Sequence, residues 1–314
     1  MMIGIEIEPS AIKSALVRKK GGYELLKWEI FELPEGVVKS TGIADIDTLL
    51  KNLIKIPIKF EKKNPHVAFS ISGPTNSAIR ILELPYIDEN EIELNLPMEL
   101  DKYIPFSVNE VFYDYQIIEK SKNQNTSKVI VAVALKELVN DYANILEKAG
   151  MIPLVADISC LALYNVYEVN YQEPSVSAIV NIAENVINFN IVKGRQPLYM
   201  RDSINAYNIP IENANEDEIR NYADEVSAEI YRQIEYFKTI NPENPVEKVY
   251  ITGIPTVSPL FLQGLQERLD IEISLFNPFK NIKIHKDISL KMQKYSAISS
   301  ISIGLSLRGT EKIK

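Results

Sequence analysis

Gly4-Ile5-Glu6-Ile7-Glu8-Pro9-Ser10 and, far downstream, Val180-Asn181-Ile182-Ala183-Glu184 occupy the same place in two copies of one pattern. In the first copy Ile5-Glu6-Ile7 is followed by four residues and then by the apolar run Ile12 to Val17. In the second, Val180-Asn181-Ile182 is followed by four residues and then by Ile187 to Val192. Each copy sets one polar residue between two β-branched ones, breaks, and resumes as an apolar run that ends at a Lys-Gly turn, Lys20-Gly21 or Lys193-Gly194. β-Branched residues favour extended backbone and Gly supplies the positive φ of a tight turn, so each copy predicts strand, short loop, strand. The hairpin is duplicated, and the unit around it is expected to be duplicated with it.

Composition bounds what such a chain does. With 314 residues there is room for two units, each with its own core. The hydrophobic fraction of 46% and charged fraction of 24% belong to a folded globular protein. A net charge of −8 leaves no basic face to neutralise a nucleic-acid backbone or an anionic bilayer, so nucleic acid is not an expected partner. Cys160 is the only cysteine and His66 and His285 the only histidines, so neither a disulfide framework nor a metal site is expected, and a reducing cytoplasm fits. No run approaches the ~20 apolar residues of a membrane span, and the first strand begins without a basic region or signal core. Any membrane association is expected through a partner.

The remaining elements read as α/β throughout. Tyr23 to Leu33 adds a strand after Gly21-Gly22, Leu49, Leu50, Leu53 and Ile54 carry helical spacing, and Val67 to Ser72 is a short strand ended by Gly73-Pro74. Ala78 to Leu84 is a strand, and Ile92, Leu96, Leu100 and Tyr103 recur at helical spacing across Pro97, where a kink or restart is expected. Val111 to Glu119 and Val129 to Ala134 are strands around Lys120 to Lys128, an expected exposed loop, and Lys136 to Ala149 is a helix ended by Gly150. After the second hairpin, Leu198 to Arg201 continues the sheet and Asp217 to Thr239 is a long helix. Val249 to Gly253 is a strand, Ser258-Pro259 opens a helix to Leu269, Ile271 to Leu275 is a strand, and Ala297 to Leu307 closes the chain as an apolar helix. Two such hairpins are how a bilobal actin-like fold presents two phosphate loops to one ligand between its lobes.

A further set of ordered pieces runs nearly end to end. Arg80-Ile81-Leu82-Glu83-Leu84-Pro85 is followed by Glu99, Tyr103-Ile104-Pro105-Phe106 and Asp114-Tyr115-Gln116. Ala149-Gly150-Met151-Ile152-Pro153 with Asp157, then Asn277-Pro278-Phe279, then Ile303-Gly304-Leu305-Ser306-Leu307-Arg308 continue it. Over these pieces the chain resembles the type IV pilus assembly protein PilM family, actin-like and FtsA-like components of the pilus inner-membrane platform. The resemblance implies an FtsA-type fold with duplicated ribonuclease H-like lobes. The first lobe would span 1–174 with an inserted subdomain at about 86–149, and the second 175–314, with a C-terminal helix free to return to the first. It implies a protein that is cytoplasmic and peripheral to the inner membrane. Its partner would be the N-terminal cytoplasmic segment of a PilN-like membrane protein, bound in a groove between first lobe and insertion, and a pilus motor ATPase is a further partner the resemblance allows. Arg80, Leu84, Pro85, Tyr86, Glu99, Tyr103 and Phe106 are the groove candidates. The aromatics Tyr103, Phe106, Phe112, Tyr113 and Tyr115 are dense enough both to pack the insertion and to line a peptide groove.

The family is also described as binding ATP, and here the chain departs from its pattern. Where the family has Gly-Ile-Asp-Ile-Gly-Ser, this chain has Gly4-Ile5-Glu6-Ile7-Glu8-Pro9-Ser10. Glycine lets backbone N–H groups approach phosphate oxygens; Glu8 brings a negative side chain instead, and Pro9 removes a donor. In the second loop Asn181 replaces an aspartate and Ala183-Glu184 the glycine region. A carboxylate about 4 Å from a phosphate charge costs about 4 kcal/mol at an effective dielectric near 20, close to a thousandfold in affinity. The surviving nucleotide candidates are Glu6, as a longer magnesium ligand, with Ser10, Lys13, Asn181, Glu229, Arg232 and Gly253. Each has an ordinary alternative: a lysine on an alternating strand usually faces solvent, and Glu229 with Arg232 fits a surface i, i+3 pair. Cys160 reads as a small buried hydrophobe.

Two readings of different class remain open at this stage. One is a non-catalytic scaffold that docks a membrane partner's tail, with no cofactor expected and a degenerate cleft. The other is an ATP switch or slow ATPase that binds Mg-ATP weakly. A sugar kinase fits worse, because no aspartate matches a catalytic base. The cytoplasmic domain of the related type II secretion platform would share the fold but normally continues into a membrane span.

Overall fold

The computed structural model describes residues 1–310 apart from 87, 208, 210 and 212. The first hairpin is β1 (Ile3–Ile7) and β2 (Ala11–Lys19), extended antiparallel by β3 (Tyr23–Glu32). A small hairpin, β4 (Val38–Lys39) with β5 (Gly42–Ile43), leads through α1 (Ile46–Leu53) and α2 (Lys55–Lys59) to β6 (His66–Ile71), parallel to β1. Next come β7 (Ser77–Leu84), α3 (Glu89–Leu100), β8 (Val111–Ser121) and β9 (Thr126–Leu135). The chain then rejoins the first sheet through α4 (Lys136–Lys148) and β10 (Ile152–Ile158), parallel to β6.

After α5 (Ser159–Asn170) the pattern starts again with β11 (Val176–Ile182), β12 (Val186–Lys193) and β13 (Gln196–Ile204), all antiparallel neighbours. The long α6 (Glu216–Ile240) connects to β14 (Lys248–Gly253), parallel to β11, and α7 (Pro259–Arg268) to β15 (Glu272–Leu275), parallel to β14. The two sheets therefore share one order, β3-β2-β1-β6-β10 and β13-β12-β11-β14-β15, and the duplication read from the hairpins extends to both lobes. β16 (Ile282–Ile284), which adds to the edge of β3, follows, and then α8 (Ser289–Tyr295) and α9 (Ser300–Leu307).

α9 has all eight residues buried, so no amphipathic face exists on it. It lies on β1, β2 and α5 of the first lobe. The approach is close: a Cβ on Gly304 would sit 1.9 Å from the Ala162 carbonyl oxygen, and one on Gly4 would sit 2.1 Å from that of Ser302. Serines fix the register, Ser302 Oγ accepting from Trp28 Nε1 at 3.1 Å and Ser306 Oγ donating to the Met2 carbonyl at 2.7 Å. No helix among the described residues is long and apolar enough to cross a membrane.

β7, β9 and β8 form a separate three-stranded sheet in that order. α3 covers one face, burying Ile92, Leu96 and Leu100 against Leu82, Leu84 and Val131. The other face gives Ile79 and Ile130 to a small core shared with Ile158, Cys160 and Met200, so the unit wedges against both lobes. Its strands span 77–135, and α4 packs Leu138, Tyr142 and Leu146 into the first-lobe core; the unit begins and ends earlier than the 86–149 expected. Pro97 lies inside α3 without a restart. The carbonyl it strips of a partner is that of Glu93, an exposed residue of the helix. The loop expected over 120–128 is mostly strand, with only 122–125 in the turn.

Candidate functional site

Between the lobes the two hairpin loops meet. Glu6, near the end of β1, faces Lys13 of β2 in the hairpin register. Lys13 is 4% exposed, Glu6 5% and Glu8 8%, so Lys13 does not face solvent as an alternating strand lysine would. Its Nζ is ion-paired with Glu8 and lies 3.4 Å from Glu6 Oε1. Burial is the largest influence on Glu6 and, with Glu8 adding to it against the pull of Lys13, raises its pKa to about 8. Burial alone would lower Lys13, but the two carboxylates outweigh it and hold the ammonium above its ordinary value. The cluster is thus a Lys13–Glu8 ion pair beside a Glu6 carboxyl that burial makes hold its proton more tightly than an exposed one.

The loop amides are occupied as well. The Ser10 N–H, on an exposed residue of the first loop, donates to Glu184 Oε2 of the second at 3.0 Å. The Gly73 N–H after β6 donates to Asp202 Oδ2 on β13 at 2.8 Å. Asp202 Oδ1 accepts from Asn188 at 2.7 Å and from the Cys160 thiol at 3.0 Å, and Asn181 donates to Asn188 at 2.8 Å. Carboxylates of the second lobe therefore accept from backbone donors of the first, the role that phosphate oxygens play between phosphate loops. The cavity left beside them, lined by Glu6, Glu8, Asn76, Tyr142, Ala183 and Asn188, holds about 80 Å³. Small-molecule sites run to roughly 300–1,000 Å³.

Of the nucleotide candidates, Glu6 and Lys13 are paired, Ser10 lies in the loop between their strands, and Asn181 bonds Asn188 at the cavity wall; of the seven only Glu6 lines the cavity itself. Glu229, Arg232 and Gly253 do not line the cavity. Glu229 is buried on α6, accepting from Gln233 at 2.7 Å and paired with Arg232. Gly253 has φ 115 and a Cβ there would lie 2.1 Å from the Ile182 carbonyl oxygen, so β11 itself demands this glycine. The pairing of Glu8 with Lys13, the reach of Glu184 to Ser10, and Asn188 and Asp202 altogether escaped the sequence reading. Asn188 alone left a signal, a polar residue within an apolar strand and, by the hairpin register, opposite Asn181. Among the described residues no group of three or more His, Cys, Asp or Glu is placed to hold a metal.

The groove candidates separate into two sets. Leu84 is buried in the α3 core, and Tyr86 and Phe106 pack against the same cluster. Tyr103 is 47% exposed and Pro85 is exposed. Arg80 Nε donates to the Tyr103 carbonyl at 2.8 Å, and Glu99 pairs with Lys102 at 2.9 Å.

Comparison with known proteins places this geometry. A solved structure of a PilM-PilN type IV pilus biogenesis complex is similar at TM-score 0.85 with 20% identity, covering 99% of this chain and 98% of that one. The cytoplasmic domain of EpsL, an inner-membrane component of the Vibrio cholerae type II secretion system, is similar at TM-score 0.50 with 9% identity over 100% and 96% of the chains. Both are likenesses of fold, actin-like and two-lobed as the duplicated sheets require. The family described as type IV pilus assembly protein PilM matches residues 4–207 and 206–310. With that match running through both lobes, the chain belongs to the PilM family of type IV pilus assembly proteins.

Proposed function

We propose that this protein is a cytoplasmic scaffold of a type IV pilus assembly platform, peripheral to the inner membrane, which docks the N-terminal cytoplasmic segment of a PilN-like membrane protein. Its interlobe cleft, on this reading, is not a working nucleotide site. Family membership supports the pilus role, and the PilM-PilN complex among its structural neighbours supports a PilN-like partner. One observation carries the cleft: Lys13, the cation placed to meet a phosphate, is engaged by Glu8 and Glu6, while Ser10's N–H is taken by Glu184. A nucleotide would have to displace both contacts, bring its charge beside Glu8, and open an 80 Å³ cavity several-fold.

The segment lies, on the same reading, between the first lobe and the inserted sheet, along β7 and the Glu99 to Phe106 stretch. Tyr103 is accessible enough to serve as an apolar anchor, and Phe106 belongs to the core. Calorimetric titration tests both halves. A synthetic peptide copying the N-terminal segment of the PilN-like protein from the same genome should bind saturably, and Mg-ATP at 1 mM, about a typical weak-ligand concentration, should give no binding heat. Micromolar Mg-ATP binding that alters peptide affinity would replace the scaffold by the ATP-switch reading.

A further inference from the structure

α1 and α2 form one nearly continuous helical ridge on the first lobe, because Ile54 between them keeps right-handed helical angles, φ −57 and ψ −25. Along it Leu49, Leu53, Ile56 and Phe60 recur every three or four residues and are buried in the first-lobe core. The opposite face repeats at the same spacing with Lys51, Ile54, Lys55 and Ile58, all exposed. Ile54 is 43% exposed and Ile58 70%, so two isoleucines stand in water between lysines. Lys59 flanks the face, and Lys62 and Lys63 lie exposed between α2 and β6.

The net charge of −8 predicts no basic face for an anionic bilayer, yet the structure gathers one. From 51 to 63 there are five lysines and one acid, Glu61, whose carboxylate accepts from Lys27 at 2.7 Å. Of the two acids just upstream, Asp45 accepts from the Thr48 N–H at 3.0 Å and Asp47 sits in the first turn of α1. Among the described residues none of the five lysines has a carboxylate at ion-pair distance. Screening cuts off the excess acids elsewhere beyond about 8 Å at physiological ionic strength, so an approaching surface meets this face's own charge.

The kind of cation decides what fits the face. No arginine lies between Arg18 and Arg80. Arginine's rigid fork suits a shape-specific pair with one carboxylate of a protein partner, whereas lysine is a hydrated point charge on a flexible stem, suited to the diffuse field of many lipid headgroups. Such stems keep their ammonium groups at headgroup level while apolar side chains between them enter the boundary with the acyl chains. We propose that the exposed face of α1 and α2, with Lys59, Lys62 and Lys63, binds directly to a bilayer surface that carries anionic lipid. The contact needs no protein partner, unlike the docking proposed above. With two isoleucines and a handful of charges it is reversible, an addition to an anchor rather than a replacement for one.

Sedimentation of the full chain with lipid vesicles tests this, using phosphatidylcholine alone or with about 30% phosphatidylglycerol and no peptide present. The anionic vesicles should carry down at least about tenfold more protein than the neutral ones, and about 1 M sodium chloride, where the screening length falls to about 3 Å, should remove most of the excess. Lys51→Glu/Lys62→Glu should weaken binding at least about tenfold, while Lys283→Glu/Lys286→Glu, exposed elsewhere and making the same change in net charge, should retain it. Ile58→Asn, at a position too exposed to disturb the core, should weaken it about threefold. Equal sedimentation with neutral vesicles, or equal behaviour of the two double variants, would overturn the proposal. So would no sedimentation with anionic vesicles, which would assign the face to an acidic protein surface instead. Because no PilN-like peptide is in the mixture, each of these results leaves the docking reading standing.

Discussion

Glu6 is the residue on which the cleft's chemistry turns. Its carboxyl ionises near 4.5 in an unfolded chain and near 8 when folded, so between those values the folded protein holds a proton that the unfolded chain has released. The group's contribution is therefore present in full below about 4.5 and is lost as pH rises to about 8. Glu6→Gln removes that slope: its melting temperature should gain on the wild type steadily from pH 5 to pH 8, and parallel curves in a fluorimetric pH series would refute the assignment. Lys13 makes the complementary case. Lys13→Met leaves Glu8 buried without its counter-ion and should cost about 3 kcal/mol in urea unfolding, most of it restored by adding Glu8→Gln. Sequence reached part of this. Glu6 and Lys13 stand opposite each other once the hairpin register is drawn, but Glu184 lies 174 residues from Ser10, and no local pattern joins them.

Among the elements, those with a period were legible and those without were not. The hairpins, α4 and α6 announce themselves by alternation or helical spacing. α5 does not: Cys160, Ala162, Leu163, Val166 and Tyr167 share its buried face, but Leu161, Tyr164 and Val169 on the other face are apolar and half-buried too, which blurs in the sequence the stripe that marks a helix. β16 is three residues long and exists because β3 offers an edge. Glycines in the fitted elements explain themselves only in three dimensions. Gly304→Ala would drive a methyl group into the Ala162 carbonyl and should destabilise by about 3 kcal/mol in urea unfolding, whereas Gly21→Ala, with nothing within 4 Å but φ 65, should cost about 1 kcal/mol. In the inserted unit, Tyr103→Ala should weaken peptide binding by about 2 kcal/mol at an unchanged melting temperature, and Phe106→Ala should lower the melting temperature first. The reverse outcome would move the groove.

At the scale of the whole molecule, the lobes meet through their own carboxylates. Asp202 and Glu184 reach from the second lobe to amides of the first, and these contacts hold the two lobes together in this arrangement. Hydrogen exchange at Ser10 and Gly73 should be unchanged by 1 mM Mg-ATP, about the cellular scale, yet accelerate in Glu184→Ala and Asp202→Ala respectively; nucleotide-induced protection would show the lobes open without it. The order of the chain adds a consequence of another kind. β1 and β2 are the first strands to leave the ribosome, but the surface that covers them is α9, at 300–307, with Gly309 against Met2. During synthesis the second lobe can close before the first, whose two opening strands wait uncovered until α9 has followed them. A nascent chain stalled before α9 should therefore present an apolar sheet to chaperones, and emergence of α9, rather than completion of either hairpin, sets the moment at which the first lobe closes.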